Sequence, residues 1–362
     1  MNMPASEPGA AQAPRRVASA HSFVPKLAVS LLLAGGFVWV LNRGGLPIIP
    51  ERASFGSVAW WMLPAYALLC SLGIFLRTYR WVYLLRPVAG DISARRVLGS
   101  GLVGFTAVFF APLRMGEIAR PWLVARDGKV TFLQATGTVA AERIIDGLVL
   151  TLVLVVSLLL STPLSPLPDH VGKLAVPVAA LPTAAYGTCA LFGSALILMI
   201  AFNRWRLAMH RLIRSMVGLV SPRLADWVML RIDKLSDGLE FLRSREAGAF
   251  FRDTLAYWAV MLSATWALLR GCGVAAGVAE AGVLLGVVGV GSLIPSGPGF
   301  FGTFQLATYA GLAMFFSEAL VLGPGAAFAF ISYSAQVSLT IISCVIGMYL
   351  MNEPARAPGS RP

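Results

Sequence analysis

Two short stretches of the sequence place arginine and carboxylate side chains at helical spacing. In residues 109–121, FFAPLRMGEIARP, the side chains of Arg114, Glu117 and Arg120 are three positions apart. They would share one face of a helix, and two guanidinium groups on one face form a fork that matches a phosphate or a carboxylate. Glu117 could hold one of them between ligands. The stretch predicts an anion-binding site; an ordinary polar helix end beside the cytoplasm is the alternative.

The second stretch, AAERIIDG at residues 140–147, lies within a long apolar segment. Glu142 is about 15 Å along that segment as a helix, so Glu142, Arg143 and Asp146 are expected at membrane depth. Ionisable side chains there face the helix bundle or a wet cavity and are paired. We predict that they handle a substrate or protons, as a gate or relay; a structural ion-pair cluster that locks two helices is the alternative. The first stretch has a charge of +1 and the second −1, and we hypothesise one joint network.

A third stretch, LIPSGPGFFGTFQLATYA at residues 293–310, interrupts an apolar region with Pro295, Gly297 and Gly299 among other helix breakers. Non-helical backbone inside a membrane is tolerated only where it is buried or lines a cavity. The helix that follows would direct its free N–H groups at that cavity, which favours anions. Gln305 is the polar side chain nearest to the break.

The first and third stretches resemble each other weakly. Each has an apolar helix, a proline, a polar or glycine-rich break and a resumed helix. Paired interrupted helices in the two halves of a transporter indicate a binding site near the middle of the membrane.

Composition identifies the elements that must position these residues. Of the 362 residues, 57% are hydrophobic and only 13% charged, whereas soluble domains average about 25% charged; the mean hydropathy is +0.75. The sequence therefore predicts an all-α, polytopic helical membrane protein. The net charge of +12 would suggest nucleic acid in a soluble protein. Here the basic residues lie between apolar segments, which is the positive-inside pattern, and no nucleic-acid partner is expected.

Charge and length together predict about 6–9 transmembrane segments, with one or two re-entrant or broken helices. Residues 97–111 reach only about 22 Å as a helix, less than the ~30 Å hydrocarbon core. A hairpin there also places the basic loop 203–253 in the cytoplasm. Residues 274–317 either cross twice or form a second hairpin. Apolar segments fall at about 26–41, 56–76, 97–111, 132–160, 183–202, 254–270, 274–294, 299–317 and 326–350.

The predicted domain organisation is a single transmembrane domain at residues 25–350, within which loop 203–253 forms an amphipathic cytoplasmic helix. Residues 1–24 and 351–362 are expected to be disordered and cytoplasmic, in a protein of the inner membrane. Scattered cysteines and only three histidines provide no metal site. Because nucleotide-binding and hydrolase motifs are not found either, we expect no cofactor and no ATP-driven transport. A transporter is expected rather than an enzyme, with transferase activity as an open alternative.

The segments PLRMGEIAR, ERIIDG and PSGPGFFGTFQLA, in this order, resemble the transmembrane domain of bacterial lysylphosphatidylglycerol synthases and of stand-alone flippase-like proteins that share it. The resemblance covers about residues 25–350. It implies a domain that handles lipids; in the synthases it moves aminoacylated phosphatidylglycerol between leaflets, while a separate soluble domain makes that lipid. The sequence contains no such catalytic domain. The polar positions of the family fall on Arg114, Glu117, Arg120, Glu142, Arg143 and Asp146.

The combined prediction is a flippase-like transporter that moves a lipid with an anionic headgroup between leaflets, driven by the lipid gradient or by protons. Arg114 and Arg120 would bind the phosphate. Family members often carry glutamate where this chain has Gln305, which favours an anionic or neutral headgroup. The expected partners are membrane lipids and a lipid-synthesising enzyme. Two alternatives remain open: a membrane-embedded transferase with Glu142 or Asp146 as its base, and a scaffold that recruits a synthase through loop 203–253.

Overall fold

Most of the residues described by this computed structural model are helical. It describes residues 23–111, 116–126, 128–176, 178–205 and 240–352, together with the single positions 211, 215, 233 and 237. Arg114, both chain ends and most of the predicted amphipathic helix in loop 203–253 lie outside the described residues.

Twelve α-helices are present in the described residues, and a two-stranded antiparallel turn pairs His170 with Ala175 and Val171 with Leu174. The strands are β1 (His170–Val171) and β2 (Leu174–Ala175). The helices are α1 (Phe23–Arg43), α2 (Met62–Tyr79), α3 (Trp81–Ala89), α4 (Ala94–Phe110), α5 (Ala119–Ala125), α6 (Phe132–Leu160), α7 (Ala180–Arg204), α8 (Glu246–Gly271), α9 (Val278–Gly291), α10 (Thr303–Ala313), α11 (Glu318–Leu322) and α12 (Pro324–Asn352).

Five spans among the described residues are long and apolar enough to cross a membrane. They are α1, the α2–α3 pair, α6, α7 and the α11–α12 pair. Helix α8 has 26 residues and reaches about 39 Å, so its length also suffices, although its first turns carry Glu246, Arg252 and Asp253. The prediction of an all-α membrane protein is confirmed.

The chain reverses between α4 and α5 and so forms the first predicted hairpin. A Cβ atom on Gly116 would lie 2.0 Å from the carbonyl carbon of Ala107, and one on Gly104 would lie 2.1 Å from Cγ of Arg120. Residue 116 therefore faces 107 while 120 faces 104, which is an antiparallel arrangement. Helix α5 runs back along α4, and the close approach requires glycine at both positions.

Helices α9 and α10 form a second hairpin. A Cβ atom on Gly291 would lie 2.8 Å from Cβ of Ala307, and one on Gly311 would lie 2.9 Å from Cδ1 of Leu284, so the two helices are antiparallel. With 14 and 11 residues they reach only about 21 and 16 Å, short of the ~30 Å hydrocarbon core. The question that charge left open is thus decided in favour of a hairpin.

The two hairpins begin at opposite ends of the helix bundle. The N–H of Ala59, just before α2, donates to the carbonyl of Gly271 at the end of α8 (2.7 Å). At the other end of α2, Arg80 donates to Thr254 near the start of α8 (3.1 Å). Helices α2 and α8 are therefore antiparallel. The first hairpin follows the end of α2–α3 and the second follows the end of α8, so they approach each other from opposite sides.

Glycines bring the remaining helices into close contact. On α9, Gly282, Gly286 and Gly289 face α6, and Cβ atoms there would lie 2.1, 2.5 and 2.3 Å from its side chains. Helices α4 and α12 make the most extensive contact between two helices, and Gly99 and Gly347 face each other within it. Small residues at such crossings allow the backbones to approach, which is how membrane helices gain packing energy.

Candidate functional site

A cavity of about 550 Å³ lies between the two hairpins and is bounded by α2, α6, α8 and α12. Most of its wall is apolar. Four charged side chains among the described residues line it, namely Arg77, Glu117, Arg143 and Asp146. Its volume is within the ~300–1,000 Å³ of small-molecule sites, where a few polar groups in an apolar wall orient a ligand.

A buried ion-pair network, formed by Arg80, Arg120, Glu142 and Asp146, stands behind this wall. Nη2 of Arg80 contacts Oε1 of Glu142 at 3.3 Å and also donates to Oδ2 of Asp146. Nη2 of Arg120 contacts Oε2 of Glu142 at 2.9 Å. Arg80, Arg120 and Glu142 are completely buried. The hypothesis that the two charged stretches join is therefore confirmed through Arg120 and Glu142.

The network ties four segments of the chain together. Arg80 occupies the junction between α2 and α3, Arg120 is on the returning helix α5, and Glu142 and Asp146 are one turn apart on α6. Arg80 also reaches Thr254 on α8. Buried charges are tolerated only when they are paired and hydrogen-bonded, so the charges specify how these helices meet.

The aromatic ring of Phe105, on α4, is surrounded by three guanidinium groups. The guanidinium carbons of Arg120, Arg77 and Arg143 lie 4.0, 4.2 and 5.8 Å from its centroid. Arg120 is also 4.4 Å from the ring of Trp81. Cations are attracted to the face of an aromatic ring, so the rings stabilise arginines that carboxylates alone do not neutralise.

Several buried donors at the cavity have no hydrogen-bond partner within the described residues. They are Nε and Nη2 of Arg143, Nε of Arg77 and Nε1 of Trp258. A buried donor without a partner costs about 1–3 kcal/mol, and more when it is charged. Oδ1 of Asp146 is an unpaired acceptor in the same set. The arrangement is suited to a ligand that presents mainly acceptor oxygens.

The charged groups around the cavity carry a positive excess. Within the described residues, four arginines face three carboxylates, which leaves a net charge of +1. Such an excess in an apolar surrounding favours binding of an anion. The seven residues are Arg77, Arg80, Arg120, Arg143, Glu117, Glu142 and Asp146.

The tips of the two hairpins meet beside the cavity. The rings of Phe109 and Phe300 are in edge contact, with centroids 5.7 Å apart. Pro295 and Gly297 line a second cavity of about 170 Å³ between the tips. Gly299 has a φ of +74°, and a Cβ atom there would lie 2.8 Å from Oη of Tyr333, so both backbone conformation and space require glycine.

Gln305 has a role within the turn of the second hairpin. Its Oε1 accepts from the N–H of Gly302 at 2.7 Å, which caps α10, and the residue is buried. The start of this helix was expected to direct its free N–H groups at the cavity, and the N–H of Gly302 is not one of these free groups because it donates to Gln305. Gln305 is not among the residues that line the 550 Å³ cavity in the described chain.

The comparison with known families agrees with this architecture. A model of the family described as the lysylphosphatidylglycerol synthase TM region matches residues 27–340. The chain belongs to this family. It is therefore a membrane protein related to lipid synthesis or flipping. No curated protein and no solved structure matches the chain.

In this lysylphosphatidylglycerol synthase TM region, the predicted site residues fall into three groups. Some line the main cavity, some form the buried network behind it, and some shape the second hairpin; Arg114 lies outside the described residues. The first group is Glu117, Arg143 and Asp146; the second is Arg120 and Glu142, joined by Asp146; the third is Pro295, Gly297, Gly299 and Gln305.

Sequence reasoning missed the contribution of α2 and α3 to this TM region. Arg77 and Arg80 are among the basic residues between apolar segments that the positive-inside pattern explains as topology signals. In the structure Arg77 lines the cavity and Arg80 is completely buried. Their spacing of three, followed at once by the apolar turn WVYLL, was the available signal. Phe105 and Trp258 gave no comparable signal, because an aromatic residue in an apolar helix is ordinary.

Proposed function

We propose that the chain is a flippase-like transporter that moves a lipid with an anionic headgroup between the two leaflets. The observation that carries the proposal is the set of unpaired donors of Arg143, Arg77 and Trp258 around the main cavity. Phosphate oxygens would pair these donors, and charge-assisted bonds of this kind are among the strongest hydrogen bonds in proteins.

The net charge of the seven charged residues around the cavity supports a headgroup phosphate with a single negative charge. A phosphodiester carries one negative charge, which would neutralise the excess of +1 among the described groups. Arg120 is completely buried, so we assign the phosphate contact to Arg143 and Arg77 and correct the earlier assignment to Arg120. Arg80, Arg120 and Glu142 act as positioning residues that hold α2, α5 and α6 around the cavity.

The hairpins suggest the path of the headgroup. They approach from opposite sides, and their tips meet at Phe109 and Phe300. We propose that separation of the tips connects the cavity to one leaflet or the other, with the lipid gradient or protons as the driving force. The proposed location remains the inner membrane, with both termini in the cytoplasm.

Substitution of Arg143 by glutamine tests the proposal. Arg143→Gln removes the charge and keeps some hydrogen-bonding capacity, so flipping of a fluorescent anionic lipid in proteoliposomes should fall about 10- to 100-fold, as expected for a charged hydrogen bond of ~1.5–3 kcal/mol. Accessibility of the label to an added membrane-impermeant quencher measures the rate.

Arg126→Gln is the matched control for this experiment. Arg126 is exposed beyond α5 and packs on Trp122, outside the cavity wall. The Arg126→Gln protein should flip lipid at the same rate as the unchanged protein. Equal rates for Arg143→Gln and Arg126→Gln would contradict the assigned phosphate contact.

One observation favours the transferase alternative. Oδ1 of Asp146 is an unpaired acceptor at the cavity, as a general base would be. Glu142 is less suited, because arginines occupy both of its oxygens. A labelled lipid donor incubated with the purified protein distinguishes the two functions: chemical turnover that is lost in Asp146→Asn would support the transferase, and movement without turnover the transporter.

A further inference from the structure

We infer that Asp146 binds one proton with each transported lipid, so that a proton and a lipid anion move together in the same direction. The inference rests on the proposed function and selects protons, rather than the lipid gradient alone, as its driving force. Asp146 is only 7% exposed and lines the main cavity. Its Oδ2 accepts from Arg80, whereas its Oδ1 has no hydrogen-bond partner within the described residues.

Asp146 differs in this respect from Glu142, the other buried carboxylate of α6. Oε1 of Glu142 contacts Arg80 at 3.3 Å, and its Oε2 contacts Arg120 at 2.9 Å. A proton on either oxygen of Glu142 would displace an arginine. A proton on Oδ1 of Asp146 leaves the contact between Oδ2 and Arg80 in place. The ion-pair network therefore points to Asp146 as the proton site.

The phosphate proposed at the cavity would favour this protonation. Arg143 is three positions before Asp146, on the same face of α6, and both line the cavity. A phosphate on Arg143 brings acceptor oxygens and a negative charge towards Oδ1, and a nearby negative charge disfavours an ionised carboxylate. A proton turns Oδ1 into a donor for the phosphate. Lipid binding and protonation thus strengthen each other by the same factor.

Asp146 lies at the depth that a transported proton requires. It is the midpoint of α6, fourteen residues from either end, or about 21 Å. A site at this depth exchanges protons with one side or the other, depending on which side the cavity opens to. A hydronium ion gives its proton to Oδ1 and leaves as water, and the reverse step releases the proton on the other side.

Threonine hydroxyls on three helices can hold the water that such a transfer needs. Thr151 on α6, Thr265 on α8 and Thr308 on α10 line the cavity. Each donates its own proton to a carbonyl one turn earlier in its helix, at 2.8, 2.9 and 2.8 Å. A hydroxyl that has used its proton offers lone pairs, so these oxygens accept hydrogen bonds from water.

The other titratable and charged groups that face Asp146 are not equivalent to it. Arginines keep their charge in proteins, and Glu117 already interacts with another residue. In the described chain, α4, α7, α9, α10 and α12 contribute no titratable side chain to the cavity wall. The groups around Asp146 are Glu142 and Arg143 on α6, Tyr66, Cys70, Arg77 and Arg80 on or beside α2, Glu117 and Arg120 of the first hairpin, and Tyr257 on α8.

Two imposed gradients test the inference in proteoliposomes. With an alkaline interior, the unchanged protein should concentrate acyl-labelled phosphatidylglycerol, a phosphodiester of single charge, in the inner leaflet. The expected ratio is up to about tenfold per pH unit, the limit for one proton per lipid. A potassium diffusion potential without a pH difference should leave both leaflets equal, because the pair carries no net charge. An impermeant quencher measures the distribution, and protein-free liposomes give the background.

Asp146→Asn should remove the effect of the pH gradient. Asparagine is uncharged with or without the lipid, so the label should distribute equally at whatever rate remains. Asp253→Asn is the matched control, because Asp253 is also 7% exposed and is paired with Arg252 at 2.8 Å, but does not line the cavity. This variant should keep the accumulation driven by the pH gradient.

The outcomes separate the proton site from the transporter. The proton site would be overturned by accumulation that follows voltage instead of pH, by equal leaflets under both gradients with the unchanged protein, or by pH-driven accumulation that survives Asp146→Asn. In each case the transporter proposal stands. Absence of any flipping would overturn that proposal. The two gradients applied to the unchanged protein decide the coupling even where Asp146→Asn fails to fold.

Discussion

Arg80→Met is expected to destabilise the protein by about 3–5 kcal/mol, the cost of breaking a buried ion pair by removal of one partner. Methionine fills a similar volume but leaves Asp146 without its cation and Glu142 with Arg120 alone. Thermal unfolding in detergent, followed by tryptophan fluorescence, measures the loss. Adding Asp146→Asn to Arg80→Met should recover part of it, because the second change removes the uncompensated charge.

Arg86→Met provides the comparison for this prediction. Arg86 pairs with Glu246 at 3.3 Å, and their side chains are 43% and 30% exposed. Exposed pairs contribute up to about 1 kcal/mol, so the substitution should have little effect. Similar losses of stability in Arg80→Met and Arg86→Met would show that the buried network does not hold α2, α5 and α6 together.

Gly116→Ala is expected to disrupt the first hairpin. The new methyl group would lie 2.0 Å from the carbonyl carbon of Ala107 and 2.1 Å from the backbone nitrogen of Val108. Both belong to the backbone of α4, which cannot yield as a side chain could. The cost should reach about 3 kcal/mol, the upper part of the usual range for overpacking, and lipid flipping should fall with it because Glu117 and Arg120 follow directly.

The control is Gly35→Ala in α1, where a Cβ atom would have no neighbour within 4 Å. Alanine favours a helix by up to about 1 kcal/mol over glycine, so this change should be neutral or stabilising. The same thermal unfolding experiment compares the two variants. A Gly116→Ala protein as stable as Gly35→Ala would refute the close antiparallel contact of α4 and α5.

Long apolar segments were predicted well from the sequence. Residues 132–160 were predicted as one segment, and α6 has the same bounds. The signal is strong because the run is uninterrupted and because Thr131 and Gln134 form a capping box at its start. The first hairpin was also predicted, since fifteen residues cannot cross the hydrocarbon core.

The inner organisation of the charged residues could not be predicted in the same way. Counting arginines between apolar segments assigns them all to loops, whereas the contacts that bury Arg80 and leave Arg86 exposed come from other helices. Glu142, Arg143 and Asp146 share about a third of the helix surface, yet Glu142 belongs to the buried network and Arg143 to the cavity wall. This difference between Glu142 and Arg143 depends on which helices pack against α6. The helical periodicity of one segment carries no information about its neighbours.

The second hairpin and Gln305 show the same limit. Helix breakers at residues 293–302 predicted an interruption but not that the chain turns back there. The sequence shows that Gln305 is the polar residue nearest to the break. Its hydrogen bond from the N–H of Gly302, which caps α10, depends on the left-handed backbone of that glycine (φ +91°).

The contact between α4 and α12 has a consequence for biosynthesis. Gly99 and Gly347 face each other although most of the polypeptide separates them. A ribosome must therefore complete α12 before α4 obtains its most extensive helix contact. Until then the cavity beside Arg77 and Arg143 lacks the wall that α12 provides. Premature termination before α12 should therefore yield a product that quality-control proteases degrade.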